Sequence, residues 1–449
     1  RGGAPPVGDR SGSAATMLVD LNDDLNDDML MLVDLPDDMW RAIAKQLAES
    51  DLASAVALKR CSSRFKDLAA PLVANAVERT DEKWRDAAAE IGGRGAATIT
   101  GGLERNEVLT ELDLAGNGID DAGAEALASA LRVNAVLKNL DLGENEIGDE
   151  GAKAIGGALA VNGVLTKLDL ARNGIDDAGA EALASALRVN GVLTTLNLRY
   201  NSIRAEGAAA IAEALRVNGV LKNLNLGENE IGDEGAKAIG GALAVNGVLT
   251  NLVLMSNNIG DEGAAALASA LRVNGVLTSL DVGFNSLTEE SALGIVRVER
   301  QRNKLTSLGL GGCSIGPTGA AGIAEYVSGS GVLKSLDLDD NHVGAEGAAA
   351  IAEALRGNGV LKTLDLNGNK IGDEGAKAIG GALADNAGLT NLVLYDNRIG
   401  NEGAKALAAA LRVNEVLKNI DLSPNNLGDE GRKAIHDAVS GREGFELVI

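Results

Sequence analysis

The sequence predicts an α/β solenoid, and three observations predict it. Apolar residues recur with a period of 28 and no slip, as Leu109, Leu137, Leu165, Leu193, Leu221, Leu249, Leu277, Leu305, Leu333, Leu361, Leu389 and Leu417. Each unit also has two halves of different periodicity. Within Val136–Asn162, Leu140 and Leu142 flank Asp141 in the alternation of a short strand, whereas Ala154, Ile155, Ala158 and Leu159 recur at three and four, the spacing of one helical face. Neither half can bury its apolar side alone, so the units must stack on one another. A stacked helix needs about 10 Å of width against about 4.8 Å for a strand. The expected body is therefore a curved horseshoe, with parallel strands on the concave face and helices on the convex face, preceded by a small all-α module.

Taken in order, residues 1–34 open with a Gly-, Pro- and Ser-rich run and continue as MLVDLNDDLNDDMLMLVDLPDD, a stutter of MLVDL and LNDD. This composition predicts a disordered acidic low-complexity segment, either a product of sequence slippage or an acidic docking element. Its Asp spacing lacks the Gly and the closing Glu of a calcium loop. Residues 35–78 read as helix throughout. Pro36 suits a first helical turn, Asp37 and Asp38 suit the positive end of its dipole, and Met39, Ile43 and Leu47 share a face. Residues 79–108 form an N-terminal cap and a degenerate repeat, with Trp84 where a leucine should stand. Residues 109–436 are twelve repeats of 28. Residues 437–449 are a C-terminal cap, in which Phe445 lies 28 after Leu417 and Val448 lies 28 after Ile420.

Each repeat opens with the pattern LxxLxLxxNxI. Its Asn position reads Asn117, Asn145, Asn173, Asn201, Asn229, Asn257, Asn285, Cys313, Asn341, Asn369, Asn397 and Asn425. This resembles the leucine-rich repeat family, and specifically the 28-residue subclass typified by ribonuclease inhibitor and the Ran GTPase-activating protein, whose Asn position also accepts Cys. The Asn side chain is expected inside, giving its amide hydrogens to loop carbonyls that would otherwise be buried without partners. Asn-Gly pairs such as Asn162-Gly163 and Asn190-Gly191 are expected to supply the left-handed residue that ends each helix. In the helical module, Leu35, Pro36, Met39, Ile43, Leu47, Asp51, Leu52, Cys61, Arg64, Phe65 and Leu68 resemble an F-box, the module that binds the Skp-type adaptor of cullin-RING ubiquitin ligases. The resemblance implies adaptor binding through Leu35, Pro36, Met39, Ile43, Leu47 and Phe65. Between Asp51 and Phe65 the spacing is about one helical turn longer than in that family, and the alternative reading of the module is a helical cap on the open end of the solenoid.

The formal charge is −23, with no basic stripe to offset it, which argues against nucleic acid and anionic membrane surfaces as partners and for a basic or polar protein. Only two cysteines occur, Cys61 and Cys313, and no apolar run approaches a membrane span, so a reducing compartment, cytoplasmic or nuclear, is expected. With His342 and His436 as the only histidines, neither near a Cys in sequence, and no phosphate-binding loop motif, the inventory predicts neither metal, cofactor nor catalysis. The chain is expected to be monomeric on its own.

Recognition is therefore the expected work, and the concave face the expected surface. The residue between the paired leucines points there. It is Asp113, Asp141, Asp169, Asp281, Asp337, Asp365 and Asp421 in seven repeats, and Asn197, Asn225, Val253, Gly309 and Val393 in the rest. That row is either a negative inner wall steering a basic partner or ordinary polar filler. The positions just after the strand, where repeats diverge, carry Arg172, Arg199, Tyr200, Met255, Phe284 and Tyr395. Aromatics on an exposed rim are typical interface anchors. A last anomaly is Arg297, Arg300, Arg302 and Lys304, the only basic cluster in the array, which reads as a docking site or as a relaxed repeat. If the F-box resemblance holds, the protein is the substrate receptor of a ubiquitin ligase; the alternatives are a regulator of a small GTPase similar to the Ran GTPase-activating protein and a generic binding scaffold.

Overall fold

The computed structural model describes residues 103, 104, 106 and 108–449. The acidic segment, the helical module with Leu35, Pro36, Met39, Ile43, Leu47 and Phe65, and most of the lead-in to the array lie outside the described residues. From Glu111–Asp113 to Glu446–Val448, thirteen three-residue strands form one parallel sheet in sequence order. Twelve described helices alternate with them, from Asp121–Leu131 to Asp429–Val439. Parallel neighbours require a crossover, and crossovers of one hand put every helix on the same side of the sheet. The unequal widths of strand and helix then leave the strand ladder on the inside of the curve.

Register follows the sequence period. Leu112 pairs with Leu140, Leu140 with Leu168, and so on, so each inward leucine stacks on its counterpart. In the second turn, Leu137, Leu140, Leu142, Ile147, Ile155 and Leu159 are each at most 2% exposed. At roughly 1.5–3 kcal/mol per buried side chain, this stacking dominates stability. The last strand departs from the expected register. Ile420 pairs with Leu447 and Asp421 with Val448, so the final loop is one residue shorter than 28-residue counting from Ile420 to Val448 assumed.

Two ladders of asparagine tie the turns together. The first is the expected one: Asn145 donates to the carbonyls of Leu114, Leu142 and Gly143 at 2.9–3.0 Å and accepts from the N–H groups of Asn117 and Ile119. The second replaces the expected helix end. Neither Asn162 nor Gly163 is left-handed, and the helix stops at Ala160 in right-handed geometry. Instead Asn162 donates to Leu131 O of the preceding turn at 2.6 Å and accepts from Val164 N and Leu165 N at 2.9 and 2.8 Å. The side chain does the work assigned to a left-handed glycine, so no left-handed residue is needed there.

Helix starts are also capped across turns. The helix Asp149–Leu159 has Gly148 at its N-cap and no cap from its own side chains. Asp121 of the preceding turn supplies it, accepting from Gly148 N and Gly151 N at 2.7 and 2.8 Å. Gly151 is glycine for the same reason, because a Cβ there would come within 2.7 Å of that carboxylate oxygen and 3.0 Å of Ala124 Cβ. Asp149, Asp177, Asp233 and Asp373 repeat the device.

The seventh turn, with strand Ser279–Asp281 and helix Glu289–Arg302, solves the helix end differently. Its helix closes on Asn303 in left-handed geometry. Glu299, wholly buried, accepts from Leu305 N at 3.1 Å, and pairs at 2.6 Å with Arg302, whose guanidinium donates to Asn274 O and Leu277 O. This takes Arg302 out of the exposed basic cluster, whose Lys304 stays on the surface. Arg302 is internal, Arg297 is bound to Glu290 and Arg300 to Glu325. In the next turn Tyr326 is buried at the place where Ala158 and Ala186 stand in regular turns.

Candidate functional site

The strand face collects the sequence-predicted residues. Along it the Asp row has a second job that the sequence reading missed. Asp141, Asp169, Asp281, Asp337, Asp365 and Asp421 each accept the backbone N–H two residues on, at 2.8–2.9 Å, and Asp113 does so at 3.0 Å. Asn197 and Asn225 make the same bond. The row is thus neither filler nor purely an electrostatic wall, because one oxygen of each carboxylate closes the turn after the strand. The signal was in the sequence: Asp and Asn are the residues that form such turns.

The carboxylates remain crowded. Burial raises Asp141, Asp281 and Asp337 above the usual carboxylate range, with neighbouring carboxylates adding to the shift of Asp141 and Asp281. Asp365 is pushed up to about 6, by burial and then by Asp337 and Asp421. Asp339, in the loop beside it, is pushed up to about 7 by burial and then by Asp365, Asp340 and Asp337. Its Oδ1 is buried without a hydrogen-bond partner, as is Asn367 Oδ1 one turn on. Between Asp281 and Asp337 stands Gly309, where a Cβ would collide with the Asp281 carboxylate. The stretch Asp281–Asp365 is therefore an acidic lane in which Arg199 opposes the shift of Asp281 and no cation opposes those of Asp337, Asp339 and Asp365.

The diverging loop residues fall into separate groups. Arg172 and Arg199 each place a guanidinium carbon 4.8 Å from the centre of the Tyr200 ring, and the arginines reach Glu144 at 3.0 Å and Glu228 at 3.6 Å. Phe284 lies over the next turn, where Gly311 and Gly312 have no side chains to displace its ring. Met255 packs over Gly227. Tyr395 stands apart, four strands beyond the Phe284 turn. Tyr200, Phe284 and Tyr395 are 39%, 38% and 41% exposed, so all three present apolar surface to a ligand.

Backbone conformation marks two of them further. Tyr200 and Phe284 are left-handed, with φ of 54° and 55°, in a column where Gly116, Gly312 and Gly368 occupy the same position. A bulky residue is disfavoured there, and glycine is not. No cluster of three or more His, Cys, Asp or Glu placed to hold a metal occurs among the described residues. No described helix is long and apolar enough to cross a membrane.

Comparison with known proteins agrees with this architecture. The family model described as Leucine Rich repeat matches eleven segments, together more than half of the chain: 105–128, 133–156, 161–184, 189–212, 217–240, 245–268, 302–324, 332–352, 357–380, 386–408 and 413–435. Among solved structures, an internalin from Listeria monocytogenes is similar at 20% identity and TM-score 0.44, over 81% of this chain and 96% of that one. The actin-binding site 2 of leiomodin-1 is similar at 23% identity and TM-score 0.29, over 34% and 87%. The tropomodulin C-terminal domain of Caenorhabditis elegans is similar at 17% identity and TM-score 0.29, over 33% and 92%. No match was found among curated proteins.

Proposed function

The chain belongs to the leucine-rich repeat family, and from that premise we propose that it is a protein-recognition scaffold whose strand face takes a basic segment of its partner. The observation that carries this reading is the lane of Asp281, Asp337, Asp339 and Asp365, whose carboxylates are held above their ordinary pKa by burial, with neighbouring carboxylates adding to three of the four shifts. Lysine or arginine from a partner supplies the charge this lane lacks. Phe284 and Tyr395 flank it as apolar anchors. The test is anisotropy of a labelled Lys/Arg-rich peptide against the full chain. Binding should strengthen from pH 5.5 to 7.5 as the lane ionises, weaken with salt, and fall several-fold in Asp337→Asn/Asp365→Asn. An acidic peptide that binds equally well would sink the proposal.

The finer role we propose is substrate receptor of an SCF-type ubiquitin ligase. Its support is the sequence alone, through Leu35, Pro36, Met39, Ile43, Leu47 and Phe65. Calorimetry of the full chain with a purified Skp-type adaptor decides it. Tight binding lost on changing Leu35, Pro36 and Ile43 supports the receptor. A folded chain that does not bind leaves the scaffold reading standing, with stimulation of GTP hydrolysis by a small GTPase as the next assay.

A further inference from the structure

Away from the strand face, the edge between each helix end and the next strand carries an apolar row. Val133, Val161, Val189, Val217, Val245 and Val273 stand at 63–69% exposure in six successive turns, one beside the next. Val136, Val164, Val192, Val220, Val248 and Val276 lie half-buried next to them. The asparagine following each exposed valine is buried and bonded to the preceding turn, so the row is rigidly mounted. Six valines exposed to this degree expose roughly 500–600 Å² of apolar surface, the top of what monomeric proteins leave contiguous.

The fold does not require valine there. In the seventh to tenth turns the same position is Gln301, Gly329, Gly357 and Asp385, and it is valine again, 64% exposed, at Val413 in the eleventh. The row is bordered on its helix side by arginines. Arg132, Arg188, Arg216 and Arg272 precede their valines directly and are exposed. Arg132, Arg188 and Arg272 make no ion pair among the described residues; Arg216 meets Glu213. In a chain of net charge −23 this is a local reversal, apolar with an unspent positive border.

We propose that this Val133–Val273 edge is a second docking surface, distinct from the strand face, for an acidic amphipathic helix of a partner protein. Apolar side chains at i and i+4 of a helix lie about 6 Å apart, between the strand and helix spacings that bound the distance from one valine to the next. The helix sets its apolar face along the row, and its flanking carboxylates meet the arginines. A second copy of this chain fits less well, since it brings the same positive border and a strongly negative body.

The probe is a labelled 18-residue helix with Leu at i, i+3, i+4 and i+7 and Glu elsewhere, titrated by anisotropy with the full chain. Its Lys-for-Glu counterpart is the control. The Glu helix should bind and the Lys helix should not. Val161→Ser/Val217→Ser should weaken binding about tenfold, from the apolar area removed, and Arg188→Glu/Arg272→Glu should weaken it in a salt-dependent way. Asp337→Asn/Asp365→Asn on the strand face should leave it unchanged, which separates this surface from the other. Circular dichroism confirms that the variants fold. Failure of the Glu helix to bind, equal binding of the Lys helix, or insensitivity to the valine changes overturns the proposal. So does self-association, or binding to phosphatidylserine vesicles, that the valine changes abolish.

Discussion

The second turn and the seventh end their helices with different chemistry and meet the same demands. In the second, one neutral side chain, Asn162, donates to the carbonyl of the preceding turn and accepts two backbone N–H groups of its own loop. In the seventh, that work is divided: Arg302 donates backward and Glu299 accepts forward, with an ion pair between them. The solenoid therefore requires a donor and an acceptor at a fixed place, whichever residues bring them. The two solutions are not equally robust. Asparagine fails locally when replaced, whereas removing one half of a buried ion pair strands a charge.

That difference sets the largest effect. Glu299→Ala leaves Arg302 buried without its carboxylate and should destabilise the array by about 3–5 kcal/mol. Asn190→Ala, in a regular turn, should cost about 1–3 kcal/mol through unsatisfied backbone groups. Repeat arrays open locally, so the measurement is hydrogen exchange of the flanking turns alongside urea unfolding. A larger loss for Asn190→Ala than for Glu299→Ala would break the comparison.

Cys313, in the eighth turn, tests the same idea in the other ladder. Its thiol makes one long contact, to Gly311 O at 3.5 Å, and among the described residues accepts neither Asn285 N nor Leu287 N, the groups an asparagine would serve. Cys313→Asn should therefore stabilise by about 1 kcal/mol. Burial, with Asp281 and Asp337 nearby, pushes the thiol up to about 12, so it should also react slowly with alkylating reagents at neutral pH.

Asp339 is the third test. Its folded pKa, about 7, lies above the ordinary 3.8, so the folded chain holds a proton the unfolded chain has released. The stability this gives is complete below about pH 4 and is lost as pH rises through 7. Asp339→Asn should raise the melting temperature at pH 8, leave it unchanged at pH 4, and flatten the decline between about pH 4 and 7. An unchanged pH profile would show that its carboxylate is already served by solvent.

Periodicity made the fold legible, because a 28-residue repeat fixes which leucines stack and which loop asparagine lies inside. What it could not show were bonds between turns. Asp121 opens its own helix, yet its carboxylate caps the following one. Asn162-Gly163 reads as a left-handed stop, yet the amide acts through its side chain. Arg302 reads as a surface base, yet it is buried in an ion pair. Each of these residues has a local role that fits its type, and the stacking supplied a nearer partner. The candidate site was legible as a list of positions. Its crowding was not, since the burial that raises Asp365 and Asp339 depends on which loops lean over the lane.

The smallest effect concerns the left-handed column that runs from the regular turns into the irregular ones. Ser256, at φ 53°, makes no side-chain hydrogen bond there among the described residues, so its side chain gives nothing back for the backbone conformation. Ser256→Gly should stabilise by about 0.5 kcal/mol, the relief of left-handed geometry less the entropy glycine gains when unfolded. Phe284 occupies the same column at φ 55°, with its ring on Gly311 and Gly312. Phe284→Gly should bring no such gain, because removing the ring from the two glycines it covers offsets the relief, and it should weaken the basic peptide on the strand face. If both glycine variants stabilise equally, the ring contributes nothing to the fold, and its place at a costly position is left to binding alone.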